Sequence, residues 1–230
     1  MTVNMLKIGR IIYEGLSRAF KVDKESYTVL RALKEMDPFK LLIATILSQN
    51  TNDRNSIRAY NILESEIGIS PKNLVEADIE KIEKAIRIGG LYKQKAKAIK
   101  EISKIILDVY SGSLEAILKK PLEEARMELM SLPKVGYKTA DVVLLFAANK
   151  SVFPVDTHIT RISKRLGIVS DRAGYEEIRL KWQKILTPEH YKLIHLLLIR
   201  LGREICKPKK PNCIKCPIKE VCNYYMAKFR

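Results

Sequence analysis

The sequence LPKVGYKTAD at residues 132–141 separates two segments with helical periodicity. One helix is predicted over 121–130 and a second, strongly apolar helix over 142–148. Pro133 and Gly136 lie between them, so the pattern predicts a helix, a tight hairpin and another helix. Such a hairpin exposes backbone amides at a helix N-terminus, where a phosphate can bind without any reading of base sequence. The alternative is a simple turn between two packed helices.

Helical periodicity extends over most of the 230 residues, and the alternation typical of half-buried strands is rare. Proline and capping residues predict helices that begin near Pro38, Asn52, Ser70 and Asp78. A basic helix is predicted over 92–110. We therefore predict an all-α fold.

A few single residues are first interpreted as structural. Trp182 and His195 are expected to pack in the core, His190 to lie in a loop, and His158 to make local hydrogen bonds after a helix cap. The lysines of the basic helix are expected to lie mostly on a solvated face: Lys93, Lys95, Lys97 and Lys100.

The charge of the chain predicts a polyanionic partner. The 42 basic and 26 acidic residues give a formal net charge of +16 and a sequence pI near 9.6. Nucleic acid is the expected partner, and an anionic membrane surface ranks below it because no lipidation motif is present. The longest uninterrupted apolar run, 142–148, is far shorter than the roughly 20 residues of a membrane-spanning helix, so no membrane span is expected.

All four cysteines lie in one C-terminal stretch with the spacing C-x6-C-x2-C-x5-C: Cys206, Cys213, Cys216 and Cys222. Four thiols gathered in one place indicate a single metal centre. A structural zinc ribbon usually has two closely spaced pairs, and only Cys213 and Cys216 form one. A [4Fe–4S] cluster tolerates irregular spacing, so it is the leading prediction, with zinc second and two disulfides third.

The disulfide alternative ranks last because disulfides are typical of small secreted domains. The N-terminal sequence shows no charged, apolar and small-residue leader. We therefore expect the protein to reside in a reducing cytoplasm, in association with the nucleoid.

Three features together resemble the endonuclease III family of DNA glycosylases. They are the hairpin at 132–141, the sequence VDTH at 155–158, and the C-x6-C-x2-C-x5-C spacing. The resemblance extends from about Leu30 to Cys222, which is nearly the whole chain. The hairpin and the cysteine spacing are each specific, and their occurrence in this order is more so.

The resemblance implies a two-domain helix-hairpin-helix DNA glycosylase fold. A six-helix barrel domain that contains the hairpin is expected over residues 31–150. Residues 1–30 and 151–230 are expected to form the iron–sulfur cluster domain together. DNA is expected to bind across the cleft between the domains.

The resemblance also assigns the two catalytic roles, and the chemistry of the residues agrees. Asp156 is the carboxylate, which would stabilise the oxocarbenium-like sugar that forms as an N-glycosidic bond breaks. Lys138 is the amine, which would displace the base and form a Schiff base before the strand is nicked. The structural alternative for Asp156 is a helix N-cap, because Asp-Thr-His precedes a helical pattern.

An enzyme that flips a base out of a duplex must fill the gap with side chains. By resemblance, Leu91 is the wedge, with an ordinary core residue as the alternative, and Gln49 or Asn50 is the gap filler. The family commonly has glycine where this chain has Lys134, and a positive φ there would cost lysine on the order of 1 kcal/mol. The remaining contacts to DNA are expected at Lys134, Val135, Gly136, Lys207, Lys209 and Lys210.

The predicted function is that of a bifunctional DNA glycosylase and abasic-site β-lyase, which removes oxidised pyrimidines from duplex DNA in base excision repair. Its partner would be double-stranded DNA with a damaged base or an abasic site, and the protein is expected to be a monomer. The enzymatic alternative is a mismatch or uracil DNA glycosylase on the same scaffold. Two functions from different classes stay open: a non-catalytic DNA-binding module, which would not cleave DNA, and a soluble electron carrier.

Overall fold

The computed structural model describes residues 2–21 and 37–229, with side chains from Leu6 onward. Within these ranges the chain forms α-helices and short 3₁₀-helices and no strands, which confirms the predicted all-α fold. The predicted domain boundary between residues 30 and 31 lies outside the described residues, as does the start of the family resemblance at Leu30.

The described α-helices are numbered here in chain order. They are α1 (Thr2–Ala19), α2 (Pro38–Ser48), α3 (Asp53–Glu66), α4 (Pro71–Glu76), α5 (Ile79–Ile86), α6 (Tyr92–Tyr110), α7 (Glu115–Leu118), α8 (Leu122–Met130), α9 (Tyr137–Ala148), α10 (Thr157–Leu166), α11 (Tyr175–Ile185), α12 (Tyr191–Glu204) and α13 (Asn223–Phe229). A 3₁₀-helix, Arg87–Gly89, follows α5, and three others are Pro188–His190, Cys213–Lys215 and Lys219–Val221. None of the described helices combines the length and the apolar character needed to cross a lipid bilayer.

The chain divides into two compact units. The hairpin unit is Asp23–Lys150, and the cysteine unit is Met1–Val22 together with Ser151–Arg230. Helices α2 to α9 belong to the hairpin unit, and six of these eight helices have eight or more residues. Helix α1 and helices α10 to α13 belong to the cysteine unit.

Side-chain caps explain where several helices of the hairpin unit begin. The Asp37 carboxylate accepts hydrogen bonds from two amides of α2, which has Pro38 in its first turn. Asn52 caps α3, and the Ser70 hydroxyl caps α4. Asp78 precedes α5 without a side-chain cap bond. The predicted helix starts at these positions are confirmed.

Helix α2 forms the centre of the hairpin unit. Its residues from Leu41 to Leu47 are fully buried, and the helix packs against α3, α6 and α9. Thr45 is the polar exception, and its hydroxyl donates to Leu41 O in the preceding turn, so burial leaves no polar atom of that side chain unpaired. This apolar helix ends at Ser48, directly before the predicted gap-filling residues.

Helix α9 begins five residues earlier than predicted. It starts at Tyr137 rather than at Val142, and Gly136 is its N-cap. The polar residues of this segment suggested a longer loop, but Thr139 and Asp141 are buried and belong to the helix. The hairpin is therefore short, and Lys138 is the second residue of α9.

The basic helix α6 does not present all its lysines to solvent. Lys93 and Lys97 are exposed, as predicted, whereas Lys95 is 4% exposed. Lys100 is half-buried, and its ammonium donates to Val75 O and Ala77 O at the end of α4. The prediction of a solvated face was wrong for these two lysines, because their ammonium groups donate hydrogen bonds to backbone carbonyls of other elements.

The core of the cysteine unit surrounds Trp182, which is fully buried and donates from its indole N–H to the Ser163 hydroxyl at 2.7 Å. Phe153 stacks on Trp182 and meets His195 edge to face. His195 is 3% exposed, with Nδ1 3.1 Å from Pro154 O. The predicted core roles of Trp182 and His195 are confirmed. His190 ends a 3₁₀-helix instead of lying in an irregular loop.

Candidate functional site

The hairpin between α8 and α9 is stabilised from within. Leu132 and Val135 are 3% and 5% exposed, and the Val135 amide donates to Leu132 O at 3.1 Å. Lys134 between them is exposed and has a φ of 60°. Any contact of Val135 with DNA would therefore use its main chain. The Lys134 side chain is exposed to solvent, and the left-handed backbone conformation of this lysine costs on the order of 1 kcal/mol.

Helix α9 presents its N-terminus at the end of this hairpin. Gly136 is exposed, and Lys138 is half-buried within the first turn of the helix. The first amides of a helix have no partner within the helix, so they can bind an anion. The positive end of the helix dipole also disfavours a protonated amine beside it, which favours the neutral, nucleophilic form of a lysine.

The loop after α2 contains Gln49 and Asn50, the two candidates for the gap-filling side chain, and it places their side chains differently. Gln49 donates from Nε2 to Lys134 O at 3.0 Å and to the Thr139 hydroxyl at 3.1 Å. Asn50 is exposed and has a φ of 51°. The Gln49 side chain therefore braces the hairpin, whereas the Asn50 side chain extends to solvent.

The turn before α6 exposes a large apolar side chain. Leu91 is 51% exposed and has a φ of 49°. The alternative of an ordinary core residue is therefore wrong. The ammonium of Lys134 lies 3.3 Å from Gln94 Oε1 in the first turn of α6, which connects the hairpin to this turn.

Lys95 lies beneath these loops. Its ammonium donates to Leu47 O at 2.8 Å, to the Thr51 hydroxyl at 2.8 Å and to Gly89 O at 2.9 Å. Burial lowers the pKa of Lys95 to about 8. Sequence reasoning missed this role, and its only signal was a lysine that shares a helix face with apolar residues.

In the cysteine unit, Asp156 is half-buried and caps α10, with Oδ1 accepting from the Ile159 amide at 2.8 Å. The predicted cap is confirmed, and it holds the carboxylate in one orientation. Burial lowers the pKa of His158, and the nearby Asp156 carboxylate partly offsets this shift by raising that pKa. His158 Nδ1 lies 3.0 Å from the Arg161 guanidinium, in agreement with a local hydrogen-bonding role.

Two arginines of α10 contact the segment that carries the cysteines. Arg161 donates to Cys206 O at 2.9 Å and to Gly202 O at 2.9 Å. Arg165 donates to Cys206 Sγ at 3.2 Å and to Lys207 O at 2.8 Å. The Cys222 thiol in turn lies 3.4 Å from Arg165 O. Helix α10 therefore connects the first and last cysteines.

The four cysteines are half-buried, and their thiols affect one another. The pKa of Cys216 is raised to about 11, mainly by burial and to a smaller degree by proximity to Cys206, Cys222 and Cys213. Burial and neighbouring cysteines also raise the pKa of Cys213 and Cys222. Thiols that oppose each other's ionisation favour a shared positive centre, which would stabilise them as thiolates.

The part of the chain that the structure describes contains no preformed site for a metal ion. No three His, Cys, Asp or Glu side chains in residues 6–21 and 37–229 are grouped as ligands of one metal ion. A zinc ion would require four sulfurs about 2.3 Å from one point. A four-iron cluster binds each cysteine through a separate iron, so its ligands stand farther apart.

The predicted DNA-contacting lysines of the tail lie at the surface. Lys207, Lys209 and Lys210 are all exposed, and Lys210 has a φ of 49°. Nearby Ile214, between two of the cysteines, is 65% exposed. This cationic surface sits directly on the cysteine segment.

Comparison with known proteins identifies the family. Residues 43–188 match the model of the HhH-GPD superfamily of base excision DNA repair proteins. The chain is 40% identical over 192 residues to an endonuclease III of Thermotoga maritima, with 84% of this chain and 85% of that protein covered. It is 35% identical over 223 residues to an endonuclease III of Sulfolobus acidocaldarius, with 96% and 98% covered. The chain belongs to the endonuclease III family.

A solved structure of the family agrees with this conclusion. The trapped covalent intermediate of an endonuclease III with DNA superposes with a TM-score of 0.74 and 31% identity, covering 91% of this chain and 100% of that one. The family resemblance stated from the sequence is thereby confirmed, together with the helix-hairpin-helix fold class.

Against this endonuclease III background, the hairpin unit brings several sequence-predicted residues together through hydrogen bonds. Gln49 contacts Lys134 directly, and Lys95 connects the loops that carry Asn50 and Leu91. Asp156 and the four cysteines belong to the cysteine unit, and the Asp156 cap and the cysteines are both attached to α10.

One buried ion pair of the hairpin unit was missed by sequence reasoning. Asp141 is fully buried, and Arg126 donates to it from Nε at 2.7 Å and from Nη2 at 3.2 Å. The Arg126 guanidinium also lies 4.9 Å from the centre of the Tyr137 ring, next to Lys138. An acidic residue inside the apolar sequence of α9 was the available signal, because a buried charge requires a partner.

Proposed function

We propose that this protein removes oxidised pyrimidines from duplex DNA and then cleaves the strand through a Schiff base on Lys138. The enzyme class, a DNA glycosylase and abasic-site lyase of base excision repair, is confirmed by its endonuclease III relatives. The observation that carries the catalytic assignment is the position of Lys138, half-buried in the first turn of the helix that follows the hairpin. The oxidised pyrimidine is the substrate that the family resemblance implies.

Asp156 is proposed to stabilise the positive charge that develops on the sugar as the base departs. Its carboxylate is held by the amide of Ile159, so little reorganisation is needed when that charge appears. Oδ2 does not take part in that capping bond and is the oxygen assigned to face the sugar.

Lys138 then carries the lyase chemistry. The neutral amine attacks the anomeric carbon as the base leaves, and the sugar ring opens to give a protonated Schiff base. Loss of the 2′ proton moves an electron pair that expels the 3′ phosphate and cleaves the strand. The covalent intermediate with DNA that an endonuclease III relative forms supports this route.

The hairpin and two neighbouring loops are proposed to bind and distort DNA. The amides at the start of α9 and the Lys134 ammonium would bind backbone phosphates. The exposed Leu91 would enter the duplex as the wedge. Asn50 is proposed as the gap filler in preference to Gln49, because the Gln49 amide already bonds to the hairpin.

The cysteine segment is proposed to hold a [4Fe–4S] cluster through Cys206, Cys213, Cys216 and Cys222. Four neighbouring half-buried thiols fit this group. When bound, the cluster would supply a positively charged iron–sulfide core that the four thiolates hold in place, and Lys207, Lys209 and Lys210 would then contact the DNA backbone. The protein is proposed to act as a monomer on damaged or abasic duplex DNA, in the cytoplasm at the nucleoid.

Borohydride trapping tests the proposal. Wild type, Lys138→Ala and the control Lys104→Ala, an exposed lysine on α6, are incubated with a duplex that contains one oxidised pyrimidine. Borohydride should trap a protein–DNA adduct with wild type and Lys104→Ala and none with Lys138→Ala. Asp156→Asn should bind the lesion and release base at least ~100-fold more slowly.

Three results would favour a different function. Base release by wild type without an adduct would overturn the lysine assignment in favour of a monofunctional glycosylase. Release from a mismatched or uracil-containing duplex alone would overturn the oxidised pyrimidine. Salt-sensitive binding with neither release nor adduct would indicate a non-catalytic DNA-binding module.

A further inference from the structure

Lys95 has all three of its ammonium protons assigned. They are donated to Leu47 O, to the Thr51 hydroxyl and to Gly89 O, at 2.8 to 2.9 Å. An ammonium has three donors and no acceptor, so this environment satisfies it completely. Within the described residues, none of its partners is a carboxylate.

These acceptors belong to two separate loops. Leu47 and Thr51 flank the loop that carries Asn50, and Gly89 precedes the turn that carries Leu91. The Thr51 hydroxyl also bonds to Gly89 O, so the two loops meet at the Lys95 ammonium. A single side chain thus fixes the spacing between the two residues that are expected to enter the duplex.

A buried charge of this kind is a poor way to gain stability. Transfer of an ammonium into an interior is unfavourable, and Lys95 recovers none of that free energy from an opposite charge. Three backbone or hydroxyl acceptors give it direction instead, because each bond constrains one position of the loops. The arrangement sacrifices stability and gains a defined loop geometry.

We propose that Lys95 is a positioning residue for base flipping, which holds the Asn50 loop and the Leu91 turn at the spacing required to enter the duplex together. This inference rests on the proposed function, since it assigns Asn50 and Leu91 to the displaced base pair. Lys95 itself is buried and would not touch the DNA.

Substrates that differ in their need for flipping test this role. Lys95→Met keeps the length of the side chain and removes its donors. On a paired oxidised pyrimidine, base release should fall by ~10- to 100-fold, because small misplacements of positioning groups have effects of this size. On a preformed abasic site in single-stranded DNA, where no base must be flipped, strand cleavage should stay within about twofold of wild type.

Two further variants complete the comparison. Lys104→Met, on the exposed face of the same helix, should match wild type on both substrates. Lys95→Arg retains a cation with several donors and should recover part of the loss on the paired lesion. A uniform fall of Lys95→Met on both substrates would overturn the proposal, because it would indicate a general structural role. Unchanged release from the paired lesion would overturn it as well.

An arm without activity separates this inference from the proposed function. Amide hydrogen exchange of Lys95→Met should accelerate at residues 49–51 and 89–91 and remain unchanged in α9. If wild type proves inactive on every substrate, the proposed function fails while this measurement still reports on the loops. Unaltered exchange at both loops would refute the positioning role in either case.

Discussion

The loops of the hairpin unit and the cysteine segment at 206–222 are fixed in different ways. The hairpin buries Leu132 and Val135, and the Gln49 side chain of its own unit donates to its backbone. The cysteine segment buries one residue, Ile218, and receives hydrogen bonds from arginines of α10. The hairpin is completed by side chains of its own unit, whereas the proposed [4Fe–4S] cluster would complete the cysteine segment.

The two regions also differ in how their ionisable side chains are compensated. In the hairpin unit the buried cation Lys95 has three acceptors, and the buried pair Arg126–Asp141 neutralises itself. In the cysteine segment, burial and neighbouring cysteines raise the pKa of Cys213, Cys216 and Cys222. A positive centre bound by these cysteines would therefore favour their ionisation.

The largest expected effect comes from removal of one cysteine. In Cys216→Ser, iron content should fall, and amide exchange over 206–222 should accelerate by ~1,000-fold or more, because a metal centre contributes on the order of 10 kcal/mol to the segment it folds. Exchange at Gln49 and Leu91 should not change. Equal acceleration of amide exchange in both regions would show that the loops of the hairpin unit and the cysteine segment do not differ in how they are stabilised.

Loss of the buried ion pair should have the next largest effect. Arg126→Met removes the guanidinium that donates to the buried Asp141 carboxylate and should lower the free energy of unfolding in urea by about 3–5 kcal/mol. The control Glu123→Gln, at an exposed residue 3.7 Å from Arg126, should lower it by less than about 1 kcal/mol. The double variant Arg126→Met, Asp141→Leu should regain most of the loss. A small effect of Arg126→Met would show that the hairpin unit does not depend on this pair.

A smaller effect is expected at Lys134. Its φ of 60° suits glycine, so Lys134→Gly should raise the free energy of unfolding by up to about 1 kcal/mol while weakening DNA binding at low salt. Asn149→Gly, at a φ of 52°, is the matched control, and its gain should be smaller because asparagine tolerates this conformation. If Lys134→Gly destabilised the protein, contacts of the lysine side chain would outweigh the backbone strain.

The subtlest test uses pH. Burial lowers the pKa of Lys95 to about 8, whereas an unfolded lysine titrates near 10.4. Between these values the unfolded chain binds more protons than the folded one, so stability rises with pH. Relative to Lys95→Met, urea unfolding of wild type should therefore show a gain from about pH 8 to about pH 10. A constant difference would mean that the ammonium is well solvated in the folded protein.

Local patterns were sufficient for much of the fold. Capping residues at Asn52 and Ser70, proline in the first turn of α2, and the cap at Asp156 act within a few residues of themselves, so the sequence displays them directly. The hairpin and the cysteine spacing are likewise local. These features predicted the all-α fold and, through the family resemblance, the candidate residues.

Burial of polar residues could not be predicted in the same way. Lys95 is separated by 48 residues from one acceptor, and Gln49 by 85 from another. A lysine in a basic helix and an aspartate after a hairpin both resemble surface residues, because the partner that makes burial tolerable is distant in the chain. Hydrogen bonds between residues distant in the sequence determine which of these polar side chains are buried, and they also position Gln49 against the hairpin.

Three residues of the hairpin unit that are expected to meet DNA share a left-handed backbone: Asn50, Leu91 and Lys134. Side chains branched at Cβ are strongly disfavoured in that conformation. A saturation library selected for repair would therefore be depleted of valine, isoleucine and threonine at all three positions, whatever chemistry each side chain performs. The backbone conformation at these three positions thus restricts which amino acids they accept, independently of any contact with DNA.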